Sequence, residues 1–176
     1  MVPIHEVLQE ISRVAVSGEI VVFGSTALQF TGVVVDESER IDLLVEPAEC
    51  GQRIEASMGA QSAYNEKHGL SVRVQPAEAF LAPQSWRARS KKIEGLYAPE
   101  VNFIIPHPHD IVMSALEHFE SQDREIARLV LEAMPLSGDD LEALAADMPH
   151  RKQAISDPKR CEAFEKHLEA LSKMLP

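Results

Sequence analysis

Little in this chain could tie it down covalently. Its 176 residues include two cysteines, Cys50 and Cys161, too few for a disulfide framework or a zinc ligand set. Both read as buried or partly buried thiols. Aromatic residues make up 5% of the chain, with one tryptophan at Trp86, so Leu, Val, Ile and Ala must fill the core. Positive charge is also scarce. Lys and Arg total 17 against 28 Asp and Glu, a formal net charge of -11. Such a balance disfavours extensive nucleic-acid binding, where neutralised phosphates supply most of the affinity. It leaves room for a local basic pocket. No window approaches the ~20 apolar residues of a membrane-spanning helix, so no membrane partner is expected. His5, Glu6, Glu10 and Arg13 interrupt residues 1–17, which is not the pattern of a signal peptide. A cytoplasmic protein is the simple expectation.

What is present is a core of ordinary richness, 45% hydrophobic, on a length that allows one compact domain with a small helical appendage. Ile4, Val7, Leu8, Ile11 and Val14 recur at helical spacing, predicting a helix over 4–16 ended by Gly18. Residues 19–23 are a nearly continuous apolar run, the signature of a buried strand. Residues 25–30 read as a short helix opening at Gly24-Ser25. Residues 40–45 form a second strand closed by Pro47, and 48–58 a helix. Residues 59–68 read as a polar loop. In a third strand over 70–74, Leu70, Val72 and Val74 share one face, while Ser71 and Arg73 share the other. Arg87, Arg89, Lys91 and Ile93 alternate with smaller residues as a strand near solvent would. A further strand at 101–105 is stopped by Pro106 and Pro108.

Beyond residue 106 the pattern is helical throughout, over 109–119, 123–134, 139–148 and 158–175. The expected organisation is therefore a mixed α/β core over 1–106 and a C-terminal helical region over 107–176 packed on it. The fold class is α+β, a small mixed β-sheet flanked by helices and followed by helices.

Two stretches carry chemistry. One is Ile20-Val21-Val22-Phe23-Gly24-Ser25-Thr26-Ala27-Leu28, followed by Glu39-Arg40-Ile41-Asp42-Leu43-Leu44-Val45. An apolar strand runs into Gly-Ser and a short helix, and the next strand carries a lone acid among apolar neighbours. That acid is costly unless it is paired or functional, and Arg40 lies on its strand face. The other stretch is Ile104-Ile105-Pro106-His107-Pro108-His109-Asp110. It looks like a metal tripod, yet Pro108 and Asp110 also fit the first turn of a helix. Arg87, Arg89, Lys91 and Lys92 form the one dense basic run. A charged edge strand explains it; a phosphate or RNA contact with Trp86 stacking on a base is the alternative. Asp123 and Arg124 read as helix-surface ion pairs. His5, His68, His118, His150 and His167 have no partner spacing and read as surface residues. Phe164, Leu168, Leu171 and Leu175 make a stripe suited to the core, or to a protein partner or homodimer through the C-terminal helix.

The Gly24-Ser25 turn, the acidic strand at 41–45 and the Pro-x-Asp helix start after residue 105 together resemble the polymerase-β-like nucleotidyltransferase superfamily. In particular they look like small bacterial members related to abortive-infection toxins and to uncharacterised nucleotidyltransferase-like domains. The resemblance spans roughly residues 18–134. It implies a nucleotidyltransferase-like core in which Gly24 and Ser25 approach a triphosphate at the helix start. It further implies carboxylates on neighbouring strands holding magnesium and acting on the attacking hydroxyl. This chain departs from that pattern at two places. The usual acid-x-acid pair reads Arg40-Ile41-Asp42. The third carboxylate falls where the strand offers Ser71, Arg73 and Gln75.

The resemblance thus leaves Asp42 as the one catalytic and metal-ligating acid, with Glu39 or Asp36 as nearby substitutes. Gly24, Ser25, Arg40 and Arg73 would be the nucleotide-binding residues. The expected function is a catalytically degenerate nucleotidyltransferase-fold protein acting as a nucleotide- or partner-binding module. One alternative is an active nucleotidyltransferase, using magnesium and a nucleoside triphosphate to modify a protein, RNA or small molecule. Another is a toxin–antitoxin-type interaction protein without nucleotide binding.

Overall fold

The structure is a computed structural model that describes residues 3–33, 39–93 and 98–176. Among these residues run β1 (Gly18–Phe23), β2 (Arg40–Glu46), β3 (Ser71–Val74), β4 (Lys91–Ile93) and β5 (Val101–Ile105). They form one sheet in the order β3-β2-β1-β5-β4. The sheet is mixed: β1 pairs antiparallel with β2 and parallel with β5, β2 pairs parallel with β3, and β4 pairs antiparallel with β5. The fold class is α+β, as the sequence indicates.

Contacts divide the described residues into two compact units, one holding the sheet and the other the C-terminal helices together with residues 28–33 and 80–89. In the first, α1 (Ile4–Ala15) buries Val7, Leu8, Ile11 and Ala15 along one stripe. It packs against α3 (Ala48–Met58), which buries Cys50, Ile54 and Met58. The α3 boundaries are those the sequence predicts. Gly51 of α3 sits so close to the sheet that an added Cβ would lie 3.1 Å from Val74 and 3.5 Å from Val45. The helix therefore covers the sheet face carrying Ile41, Leu43 and Val45 of β2 and Val72 and Val74 of β3. Alternation along a strand then sends Arg40, Asp42 and Arg73 to the opposite face.

Residues 59–68 are not wholly a loop: α4 (Ala63–His68) occupies their second half. Its start is fixed by the Ser62 side chain, which accepts the Asn65 amide, and its end by Gly69 in the left-handed conformation. Those are ordinary start and stop signals. The basic alternating run is not one strand either. Trp86–Arg89 is a helical turn, α5, and only Lys91–Ile93 is extended.

The second unit contains α6 (Pro108–Ala115), α7 (Ser121–Ala133), α8 (Gly138–Ala146) and α9 (Pro158–Ser172). Its core takes Ile111, Val112, Leu116, Phe119, Val130, Leu141 and Phe164. Of the apolar stripe on the last helix, Phe164, Leu168 and Leu171 are buried within the chain. Among the described residues Asp123 and Arg124 form no surface ion pair, against expectation. Asp123 accepts the Glu120 amide in a capping box, and Arg124 donates to the Phe119 carbonyl. No described helix is long and apolar enough to cross a membrane.

Candidate functional site

Strand register, more than any single motif, assembles the site. Asp42 of β2 is the Cα partner of Phe23 on one side and of Arg73 on the other. Arg40 lies two residues before Asp42 on the same face. All three polar side chains therefore meet. Arg73 donates from Nε to Asp42 Oδ1 at 2.9 Å, Gln75 donates from Nε2 to the same oxygen at 3.1 Å, and Arg40 donates from Nε to Oδ2 at 3.4 Å. The Asp42 carboxylate is 18% exposed, while the arginines are about half exposed at 52% and 48%. With water reaching both guanidiniums, each pair contributes only about 0–1 kcal/mol to stability. The cluster is thus better explained by what it presents than by what it holds together.

The structure brings together Arg40, Asp42 and Arg73 among the residues singled out by sequence. Gly24 and Ser25 stand just past Phe23, at the Asp42 end of β2, but share no hydrogen bond with the cluster among the described residues. Gly24 is required by its backbone, which has φ of 70°. The helix after it, α2 (Ser25–Leu28), is a single turn of four residues. One turn aligns too few peptide dipoles to act as an anion site alone. Glu39 is exposed, and its carbonyl accepts the Ser71 amide. Asp36 lies outside the described residues.

The donor chemistry does not suit magnesium. That ion takes near-octahedral oxygen ligands, whereas the partners of Asp42 are three N–H donors, two of them cationic. No group of three or more His, Cys, Asp or Glu among the described residues could hold a metal ion. Sequence reasoning placed Arg73 in the pocket and named Ser71, Arg73 and Gln75 as what the third strand offers where a further carboxylate is expected. The bonds from Arg73 and Gln75 to Asp42 were legible only through the parallel register, which sequence does not fix.

A groove of about 540 Å³ adjoins the cluster and is lined in part by Arg40, Arg73, Ser71, Gln61 and Ser62. Neither Gly24, Ser25 nor Asp42 lines it.

The second constellation resolves into structure. His107 caps α6 by accepting the His109 amide at Nδ1, Pro108 occupies the first turn, and His109 Nε2 lies 2.8 Å from the Met134 carbonyl oxygen. Burial first, and then the neighbouring His109 and Arg89, lower the pKa of His107 below its ordinary value; a neutral ring suits an acceptor in that role. Asp110 is fully buried and receives Arg89 through two bonds, Nε to Oδ2 at 3.1 Å and Nη2 to Oδ1 at 2.6 Å. That hydrogen bonding raises the pKa of the guanidinium, against the opposing effect of desolvation. Arg89 is thereby withdrawn from the basic run the sequence suggested. Arg87 instead lies over the Trp86 ring at 4.8 Å.

His150 is another correction, being buried rather than at the surface. It stacks on Phe164 at 4.4 Å between ring centroids and bonds Glu117 at 2.6 Å. Compared with known proteins, the chain matches no family model, no curated protein and no solved structure.

Proposed function

We propose that this is a nucleotidyltransferase-like protein whose site binds the phosphates of a nucleotide through fixed guanidinium charge, in place of metal-dependent transfer. One observation carries the reading. Where a transferase of this kind would present further carboxylates beside Asp42, this chain offers Arg40 on β2 and Ser71, Arg73 and Gln75 along β3, and Arg40 and Arg73 both donate to Asp42. A guanidinium fixed on a sheet can supply the positive charge that a divalent cation would bring to a phosphate. The register that sets Asp42 opposite Phe23, directly before Gly24-Ser25, supports the same ancestry.

The reading is tested by following thermal unfolding with ATP, GTP, CTP and UTP, each with and without magnesium. At a ligand concentration of about 100 times Kd, binding stabilises the folded chain by about 2.7 kcal/mol. For this size that is a rise of about 5–10 °C. The rise is expected without magnesium, and it should vanish in Arg40→Ala and in Arg73→Ala. A rise that requires magnesium and disappears in Asp42→Ala would instead identify an active transferase. No response to any nucleotide would move the role to protein interaction.

A further inference from the structure

The groove beside the cluster is built from α3, the turn that follows it and the open edge of β3. Glu55 and Ala56 lie on its α3 side, Ala60 and Gln61 on the turn and Ser71 on β3, and Arg40 and Arg73 also line it. At about 540 Å³ it falls within the size of small-molecule sites and is far larger than inorganic phosphate needs. Its lining is divided: the guanidiniums of Arg40 and Arg73 for an anion, the Ser62 and Ser71 hydroxyls and the Gln61 amide for a polar body, small apolar groups, and one carboxylate, Glu55, which is engaged by the Val74 amide.

The edge itself argues for a small molecule over an added peptide strand. In the parallel β2–β3 ladder the Ser71 and Gln75 amides bond β2, so the intervening Val72 and Val74 amides face away from it. The Val74 amide is taken by the Glu55 carboxylate at 3.0 Å, which closes that point to strand addition. Arg73 meets Asp42 through Nε alone among the described residues. A guanidinium has five N–H donors in a planar fork, so its terminal nitrogens suit an anion in the groove it lines.

We infer that this groove binds a phosphomonoester of nucleotide size, with the phosphate at Arg40 and Arg73 and the organic body lying along α3 towards Gln61. The inference rests on the phosphate-binding reading above and goes further by placing the ligand's body away from the Gly24-Ser25 turn. The phosphate competes with Asp42 for the same two cations. A phosphomonoester dianion carries twice the charge of that carboxylate, which favours the exchange.

The test is calorimetric titration of the full chain, without magnesium, with AMP, GMP, CMP and UMP and separately with inorganic phosphate. Variants are Ala56→Trp and Ala60→Trp, both at exposed positions, and Arg73→Ala, with unliganded melting measured for each. At least one mononucleotide should bind tenfold or more tightly than inorganic phosphate. Each tryptophan should weaken it tenfold or more while leaving unliganded melting unchanged. Equal affinity for phosphate and every mononucleotide would overturn the inference. So would tryptophan variants that bind normally while Arg73→Ala does not, a result that leaves the phosphate reading standing. Absence of binding by every mononucleotide and by phosphate would overturn both.

Discussion

Replacing Arg89 with alanine strips the one cationic partner found among the described residues from a carboxylate that has no solvent exposure. Asp110 is 0% exposed and Arg89 33%, and two N–H···O bonds join them. Two unit charges 4 Å apart attract by about 4 kcal/mol at an effective dielectric of 20. Removing one member of a buried pair costs about 3–5 kcal/mol, because the survivor remains desolvated. Water can reach the space vacated by a one-third-exposed side chain, so the lower part of that range applies, about 3 kcal/mol. At about 2–4 °C per kcal/mol for chains of this size, the melting temperature should fall by about 6–12 °C.

The chain has two compact units, so unfolding need not be a single transition. Scanning calorimetry should therefore be used, read at the transition that Arg89→Ala moves. The Arg89→Ala, Asp110→Ala double variant should be more stable than the sum of the single losses, because the orphaned charge is gone. The single variant also loses the bond from Nη1 to Ser85 at 2.8 Å, a contribution that the cycle subtracts. A fall below about 2 °C, or losses that simply add, would refute the assignment of Asp110 as a carboxylate stabilised by Arg89.

Two further outcomes follow from geometry elsewhere. Gly18 has φ of 121°, and a Cβ there would lie 2.5 Å from the Glu46 carbonyl oxygen; Gly18→Ala should destabilise by about 2 kcal/mol or more through backbone strain and overlap, read by urea unfolding. Burial would raise the Glu117 pKa, but hydrogen bonds from Arg160 and His150 outweigh it and bring it below the ordinary value. A carboxyl depressed in the folded state adds stability above its unfolded pKa and loses it as pH falls through the folded one. The stability gap between the native chain and Glu117→Gln should accordingly be full near neutrality and shrink under acid below the ordinary glutamate range; a pH-independent gap in circular dichroism melts would contradict this.

Legibility from the sequence followed the range of the interactions involved. Helix α3 carried its own apolar stripe between two clear boundaries, and its limits were readable. The faces of β2 and β3 were readable too, since alternation is local. The partners were not. Arg89 alternates with Arg87 and Lys91 as a strand residue would, but its conformation answers to Asp110, 21 residues on. Helix α4 was missed because six residues give too short a period to see, although Ser62 and Gly69 marked its ends. Likewise His150 is followed in sequence by Arg151, Lys152 and Gln153, and only the fold lays it on Phe164. At the candidate site, sequence identified Asp42 and its arginine two residues away, while the tighter contact from Arg73 depended on a pairing that no local pattern specifies.

That pairing has a consequence for how freely the site could change. Because alternate residues face opposite ways, sliding β2 by one position would drive Asp42 into the hydrophobic layer and strand Ile41 in water. The core thus polices the alignment on which the charged trio depends. Positions 40, 42 and 73, by contrast, contribute nothing to that layer. The scaffold can therefore accept acids, amides or cations at these three places with little effect on folding, so gain or loss of chemistry here would need only a few substitutions.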